Sequence, residues 1–257
     1  MTRRPPIFLL TDFGRADPYV GVMKAVILSR APGAAIVDLG HEIPPQDVRA
    51  GAFQLMVAAP FLAPGSIVAA VVDPGVGSSR RILWARSAER QYLAPDNGLL
   101  DWVAGSDPFL EVREVSSREL WLDEVSSTFH GRDIFSPVAA ALSRGLPAAR
   151  LGKRVSYHPR TPFPEPVRMG GGRRGEILAV DRFGNAVTNL RPADPARGAS
   201  FHFRGRALGP LRTHYAQAPA GAPVVLTGSW GFVELSIRDG NFARSRRARP
   251  GDPVDVF

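Results

Sequence analysis

Cysteine is absent from all 257 residues. That excludes disulfides, thiolate nucleophiles and cysteine-held metals, and it removes redox usage as a guide to compartment. Lysine is nearly absent too: of 32 basic residues, only Lys24 and Lys153 are lysines. No apolar run approaches the roughly 18 residues of a membrane span. The opening Met1-Thr2-Arg3-Arg4-Pro5-Pro6 enters an apolar run too soon for a signal peptide, so the cytoplasm is the default expectation. Histidine is sparse, at positions 41, 130, 158, 202 and 214, without metal-ligand spacing. His41-Glu42 lacks the second histidine of a zinc-binding helix. Neither a metal nor a redox cofactor is expected.

A hydrophobic content of 44% supports a real core, and the length suits one large domain or two smaller ones. The formal charge of +8 raises a nucleic-acid reading. The arginines are scattered, however. Their one dense cluster (Arg244, Arg246, Arg247, Arg249) has no interleaved stacking aromatics. A solvated surface explains it more simply, and no nucleic-acid partner is expected.

Three apolar runs in the first half end in acids. Ile7 to Leu10 leads into Thr11-Asp12-Phe13-Gly14, Ala35-Ile36-Val37 into Asp38, and Ile67 to Val72 into Asp73-Pro74-Gly75-Val76-Gly77. Such runs read as buried strands of a parallel sheet. Asp17-Pro18 is a good helix start, with Tyr19, Val22, Met23, Val26 and Ile27 on one face. A second helix is expected from about Asp47 to Ala59. Strand-like Ile82 to Ala85 and Gln91 to Leu93 follow, then a short helix through Leu99, Leu100 and Val103 and another from Ser136 to Gly145. The pattern is an α/β domain over residues 1–158 with a mainly parallel central sheet. Four prolines between Pro159 and Pro166 read as an extended linker. Residues 167–257 change to short strands between turns, as in a smaller all-β domain.

Ligands of open α/β sheets sit at the carboxyl ends of strands, so Asp12 and Asp73 are the first candidates. Asp12-Phe13-Gly14 matches the magnesium motif of protein kinases by letter only, because residue 12 leaves no room for the preceding nucleotide lobe. A carboxylate there suits paired ribose hydroxyls, since it only accepts hydrogen bonds; an acid after a strand equally serves as a turn cap. The glycines after Asp73 let backbone approach a ligand closely. Thr128-Phe129-His130-Gly131-Arg132-Asp133 is the most concentrated chemical segment, with His130 suited to proton transfer near neutral pH. In the second half, Asp181-Arg182-Phe183-Gly184-Asn185 and Gly228-Ser229-Trp230-Gly231 with Glu234 read as turns that can also hold a ligand.

These segments, in this order, resemble the S-adenosyl-L-methionine hydroxide adenosyltransferase family, relatives of fluorinases and chlorinases. The matching pieces are Thr11 to Gly14 with Asp17 to Gly21, Val72 to Gly77, Ala94 to Leu99, Thr128 to Pro137, Asp181 to Asn189 and Gly228 to Glu234. The resemblance implies a barrel-like C-terminal domain and a homotrimer, with active sites between the N-terminal domain of one subunit and the C-terminal domain of the next. It implies S-adenosyl-L-methionine as substrate and adenosine and L-methionine as products. Its catalytic set maps onto Asp73, Arg80 and His130, with Arg81 an alternative to Arg80 and the proton acceptor left open. Its nucleoside contacts map onto Asp12, Phe129, Asn185, Ser229 and Glu234. Halide-dependent adenosyl transfer and a non-catalytic adenosine-binding protein are the competing readings.

Overall fold

Residues 4–194 and 198–257 are described by the computed structural model, which divides into units spanning 1–163 and 164–257. The first unit is built on six strands: β1 (Ile7–Thr11), β2 (Ile36–Gly40), β3 (Ile67–Val71), β4 (Ile82–Arg86), β5 (Gln91–Pro95) and β6 (Glu111–Glu114). Their order is β2-β1-β3-β5-β4-β6. The pairings β1–β2, β1–β3 and β3–β5 are parallel, whereas β4–β5 and β4–β6 are antiparallel. The sheet is therefore mixed rather than mainly parallel. The physical reason is chain length. Only four residues separate β4 from β5, enough for a hairpin but far short of the crossover that a parallel neighbour requires.

Strand β3 is buried along its whole length and alternates cleanly. Ile67, Ala69 and Val71 join a core with Met23, Ile27, Phe135 and Val138, while Val68, Ala70 and Val72 join a second core with Leu55, Leu99 and Val103. Met23 and Ile27 come from helix α1 (Tyr19–Arg30), Leu55 from α2 (Val48–Ala58), Val103 from α3 (Asp101–Ser106) and Val138 from α4 (Ser136–Ser143), while Leu99 and Phe135 lie just before α3 and α4. Helix α2 is capped as expected: Asp47 accepts the Ala50 N–H at 2.9 Å. Helix α1 is not, because the cap position falls on Pro18 with no side-chain cap bond, and Asp17 is exposed. A single π turn over Gly131–Phe135 runs directly into α4. Asp38 lies inside the edge strand β2, not after it.

Unit 2 holds β7 (Val167–Met169), β8 (Gly172–Val180), β9 (Ala186–Thr188), β10 (Ser200–Phe203), β11 (Arg206–Arg212), β12 (Pro223–Thr227), β13 (Val233–Ile237), the short helix α5 (Phe242–Arg246) and β14 (Pro253–Val256). Seven strands close a ring in the order β14-β10-β11-β12-β13-β9-β8, with β8 pairing back to β14. Closure removes the open edges that a small sheet would otherwise expose. Phe201, Phe203, Val225, Leu235 and Phe242 fill its core. Strand β11 escapes sequence reading because Gly209-Pro210 interrupts it.

The proline-rich stretch is anchored at its start. Buried Asp101 accepts from Tyr157 Oη at 2.5 Å and from the Arg160 and Thr161 backbone N–H groups at 2.9 and 2.7 Å. Asp101→Ala strands these three donors. We expect it to destabilise unit 1 by about 2–4 kcal/mol, read as a lower denaturation midpoint in urea; a shift under about 0.5 kcal/mol would show that the anchor is dispensable.

Candidate active site

Strands β1 and β3 run parallel in register, with Thr11 opposite Val71. The residues that follow them, Asp12 and Val72-Asp73, thus leave the same end of the sheet side by side. Both acids line one cavity of about 330 Å³, together with Phe13, Tyr19, Gln46 and Val76. Two other depressions in unit 1 have similar volumes, about 290 and 390 Å³. Volume does not distinguish the three; the paired carboxylates do.

Asp73 is held by Arg80. The guanidinium Nε donates to Oδ1 at 2.7 Å and Nη2 donates to Oδ2, a bidentate pair with side chains only 9% and 4% exposed. The same Nη2 lies 2.8 Å from His130 Nδ1. Since guanidinium only donates, Nδ1 must accept, and the imidazole proton sits on Nε2. Burial lowers the His130 pKa, the Arg80 charge lowers it further, and Asp73 and Asp133 oppose. Neutral His130, charged Arg80 and the Asp73 carboxylate therefore form one consistent set. Arg81 is excluded from it, because its Nε and Nη2 both bind Asp96, at 2.9 and 2.7 Å.

Glycine permits this assembly. Gly77 sits at φ +80°, and a Cβ there would lie 2.2 Å from the Ser127 carbonyl oxygen, so the Asp73 and His130 loops meet through it. The His130 loop is braced by buried Asp133, which accepts the Ser126 N–H at 2.8 Å and pairs with Arg132 at 2.5 Å. Phe129 stands edge-on to Tyr19 and Phe13, at 5.0 and 5.7 Å between ring centres. Asp12 Oδ2 accepts the Gln46 backbone N–H at 2.7 Å, leaving Oδ1 for a ligand.

In unit 2, Asn185 and Glu234 are buried within one network, whereas Ser229 is exposed on the β12–β13 turn. Asn185 Nδ2 donates to Asp181 at 2.9 Å and approaches the Tyr215 hydroxyl at 3.4 Å. That hydroxyl donates to Glu234. Burial raises the Glu234 pKa, the hydrogen bond from Tyr215 lowers it, and Asp181 raises it again, for a net rise. Burial and Glu234 push the Tyr215 phenol up to about 12. Gly228 leaves room for the acid, since a Cβ there would meet Glu234 Oε2 at 2.3 Å. Sequence reasoning missed Gln46 and Tyr215. One acts through its backbone, and the other lies 19 residues from its partner, so neither leaves a local signal. Among the described residues no group of three or more His, Asp or Glu side chains is placed to hold a metal.

Residues 7–152 match the family model of the SAM hydroxide adenosyltransferase N-terminal domain, and residues 175–255 match that of the C-terminal domain. A Thermus thermophilus protein named (R)-S-adenosyl-L-methionine hydrolase is 41% identical, over 98% of this chain and 99% of its own length. A Salinispora arenicola protein of the same name is 36% identical over 100% of this chain and 99% of its own. A fluorinase of an Actinoplanes species is 30% identical over 98% and 97%. A crystal structure of a conserved protein from Thermotoga maritima gives a TM-score of 0.91 at 34% identity, covering 97% of this chain and 99% of that one. The chain belongs to the SAM hydroxide adenosyltransferase family.

Proposed function

We propose that this protein hydrolyses S-adenosyl-L-methionine to adenosine and L-methionine, by attack of water on C5′ of the ribose. The observation that carries the reading is the Asp73–Arg80–His130 set beside the cavity that Asp12 lines. The sulfonium leaves as a neutral thioether, taking the C5′–S electrons with it, so departure needs no acid. Water contributes the new C5′–O bond and releases one proton. The protein's task is to align that water and accept the proton.

Asp73 lines the cavity, so we assign it the proton; its two oxygens keep lone pairs beyond those given to Arg80. Arg80 stabilises developing hydroxide. His130 spends its ring lone pair on Arg80 and so orients that guanidinium. Asp12 takes the ribose hydroxyls. Phe129, Asn185, Ser229 and Glu234 surround the nucleoside. The family resemblance carries the rest of the reading: a cytoplasmic homotrimer that completes each site with the C-terminal domain of a neighbouring subunit. The chemistry invokes no cofactor. The relatives named fluorinase raise halide-dependent transfer as the competing reaction, and the presence of Asp73, Arg80 and His130 together favours water.

Incubation with S-adenosyl-L-methionine in ¹⁸O-water tests the reaction directly. Label in the adenosine 5′-hydroxyl is expected at every chloride concentration; a 5′-chloro product, or bound adenosine without turnover, would overturn the assignment.

The role of His130 makes a separate prediction. Asn at 130 retains an acceptor for Arg80, whereas Leu does not. His130→Asn should stay within about tenfold of the parent kcat and His130→Leu should lose about 100-fold or more. Equal losses would return proton transfer to His130. The pH profile follows from the lowered pKa. His130 stays neutral at pH 7 and gains a proton on Nδ1, against Arg80, only in acid. Thus kcat/KM should be flat through neutrality and fall only at a pH below the ordinary histidine range, and His130→Asn should move that fall to lower pH.

A further inference from the structure

His41 takes no part in the set described above, yet it is 1% exposed and is linked to β1, to β2 and, through β2, to α1. Its Nδ1 is 2.9 Å from Thr11 Oγ1 at the end of β1. Its Nε2 is 3.0 Å from Asp38 Oδ1 on β2, an ion-pair distance whose angle falls short of a linear hydrogen bond. Asp38 is tied in turn to Lys24 of α1 at 2.7 Å. Burial opposes the charge on Asp38, but Lys24 and His41 outweigh it and hold the carboxyl below its usual range. A carboxylate facing Nε2 selects the tautomer with the proton there, so Nδ1 accepts and the Thr11 hydroxyl donates. Thr11 Oγ1 keeps its own lone pairs for the Phe13 N–H, at 3.3 Å.

This chain of contacts ends on the Asp12 loop from both sides. Thr11 and Phe13 flank Asp12, and the His41 carbonyl accepts the Gly14 N–H at 2.7 Å. The segment that starts at His41 also carries Gln46, whose φ of 65° is rare for a non-glycine residue and whose N–H binds Asp12. We propose that His41 is a positioning residue: the Asp38–His41–Thr11 relay fixes the Asp12 carboxylate for ribose binding. The proposal rests on the reading of Asp12 as a ribose ligand.

Isosteric and conservative substitutions at Thr11 separate positioning from packing. Valine keeps the shape and loses the hydroxyl; serine keeps the hydroxyl and loses a methyl. Adenosine affinity by calorimetry, KM and kcat for S-adenosyl-L-methionine, and Tm are measured for the parent, Thr11→Val, Thr11→Ser, His41→Ala and Asp12→Ala. Thr11→Val and His41→Ala should weaken adenosine binding and raise KM by about tenfold, with kcat within about threefold, while Thr11→Ser stays near the parent. Serine behaving as badly as valine, or affinity following Tm across the set, would overturn the relay. Weak binding in Asp12→Ala with normal binding in His41→Ala and Thr11→Val would also overturn it, leaving the ribose reading intact. Unaltered adenosine binding in Asp12→Ala would remove both.

Discussion

Parallel pairing of β1 with β3 is the constraint on which the site depends. Parallel neighbours lie about 4.8 Å apart and send their carboxyl ends to the same edge of the sheet. Because Thr11 pairs with Val71, Asp12 and Asp73 leave that edge within two residues of one another. Neither acid needs a long loop to reach the other. The pairing is secured by the burial of β3 on both faces, which makes its register costly to change, since a shift of one residue would exchange the two core faces. Stability of the core and geometry of the site are thus one property of one strand.

The bidentate Asp73–Arg80 pair shows what that geometry is for. Two charges this buried gain little net stability from one another, because desolvation offsets much of their attraction. What they gain is orientation. Asp73 fixes the guanidinium plane through two bonds, and His130 accepts a third. A histidine of ordinary pKa would be partly protonated near neutrality and would repel Arg80. Burial and the Arg80 charge keep it neutral. The environment that makes His130 a good acceptor for arginine also makes it a poor store for a second proton, and this is why the proton is assigned to Asp73.

Much of this was legible in the sequence, for identifiable reasons. Strand-end acids and glycine loops are local features, and Asp12, Asp73 and the His130 segment stand out without knowledge of the fold. The mixed sheet was missed because Ile82 to Ala85 and Gln91 to Leu93 look like any buried strands; only their short separation betrays a hairpin. Asp38 was misplaced because an edge strand continues past its acid, and that acid faces Lys24 and His41. Arg80 and Arg81 are indistinguishable as letters. Both lie in the loop just before β4, and only the folded chain shows one turned to Asp73 and the other to Asp96. Tyr215 and Gln46 could not be found, since one is distant in sequence and the other offers a backbone group.

Many of the arginines are spent on the protein's own backbone. Arg30 donates to the carbonyls of Leu120 and Trp121, Arg90 to Leu62, Arg144 to Arg30, and Arg238 to Ala218. Arg204 holds the carbonyls of Arg246 and Arg247 and the Asp252 carboxylate within the C-terminal basic cluster. Each guanidinium offers five donors in a fixed plane, so one side chain can close two or three acceptors that a lysine could not reach together. Carbonyls accept without neutralising, and every arginine spent on them adds to the formal charge. Arg90, Arg204 and Arg238 reach a carboxylate as well as a carbonyl, whereas Lys24 and Lys153 meet Asp38 and Glu114 as point charges.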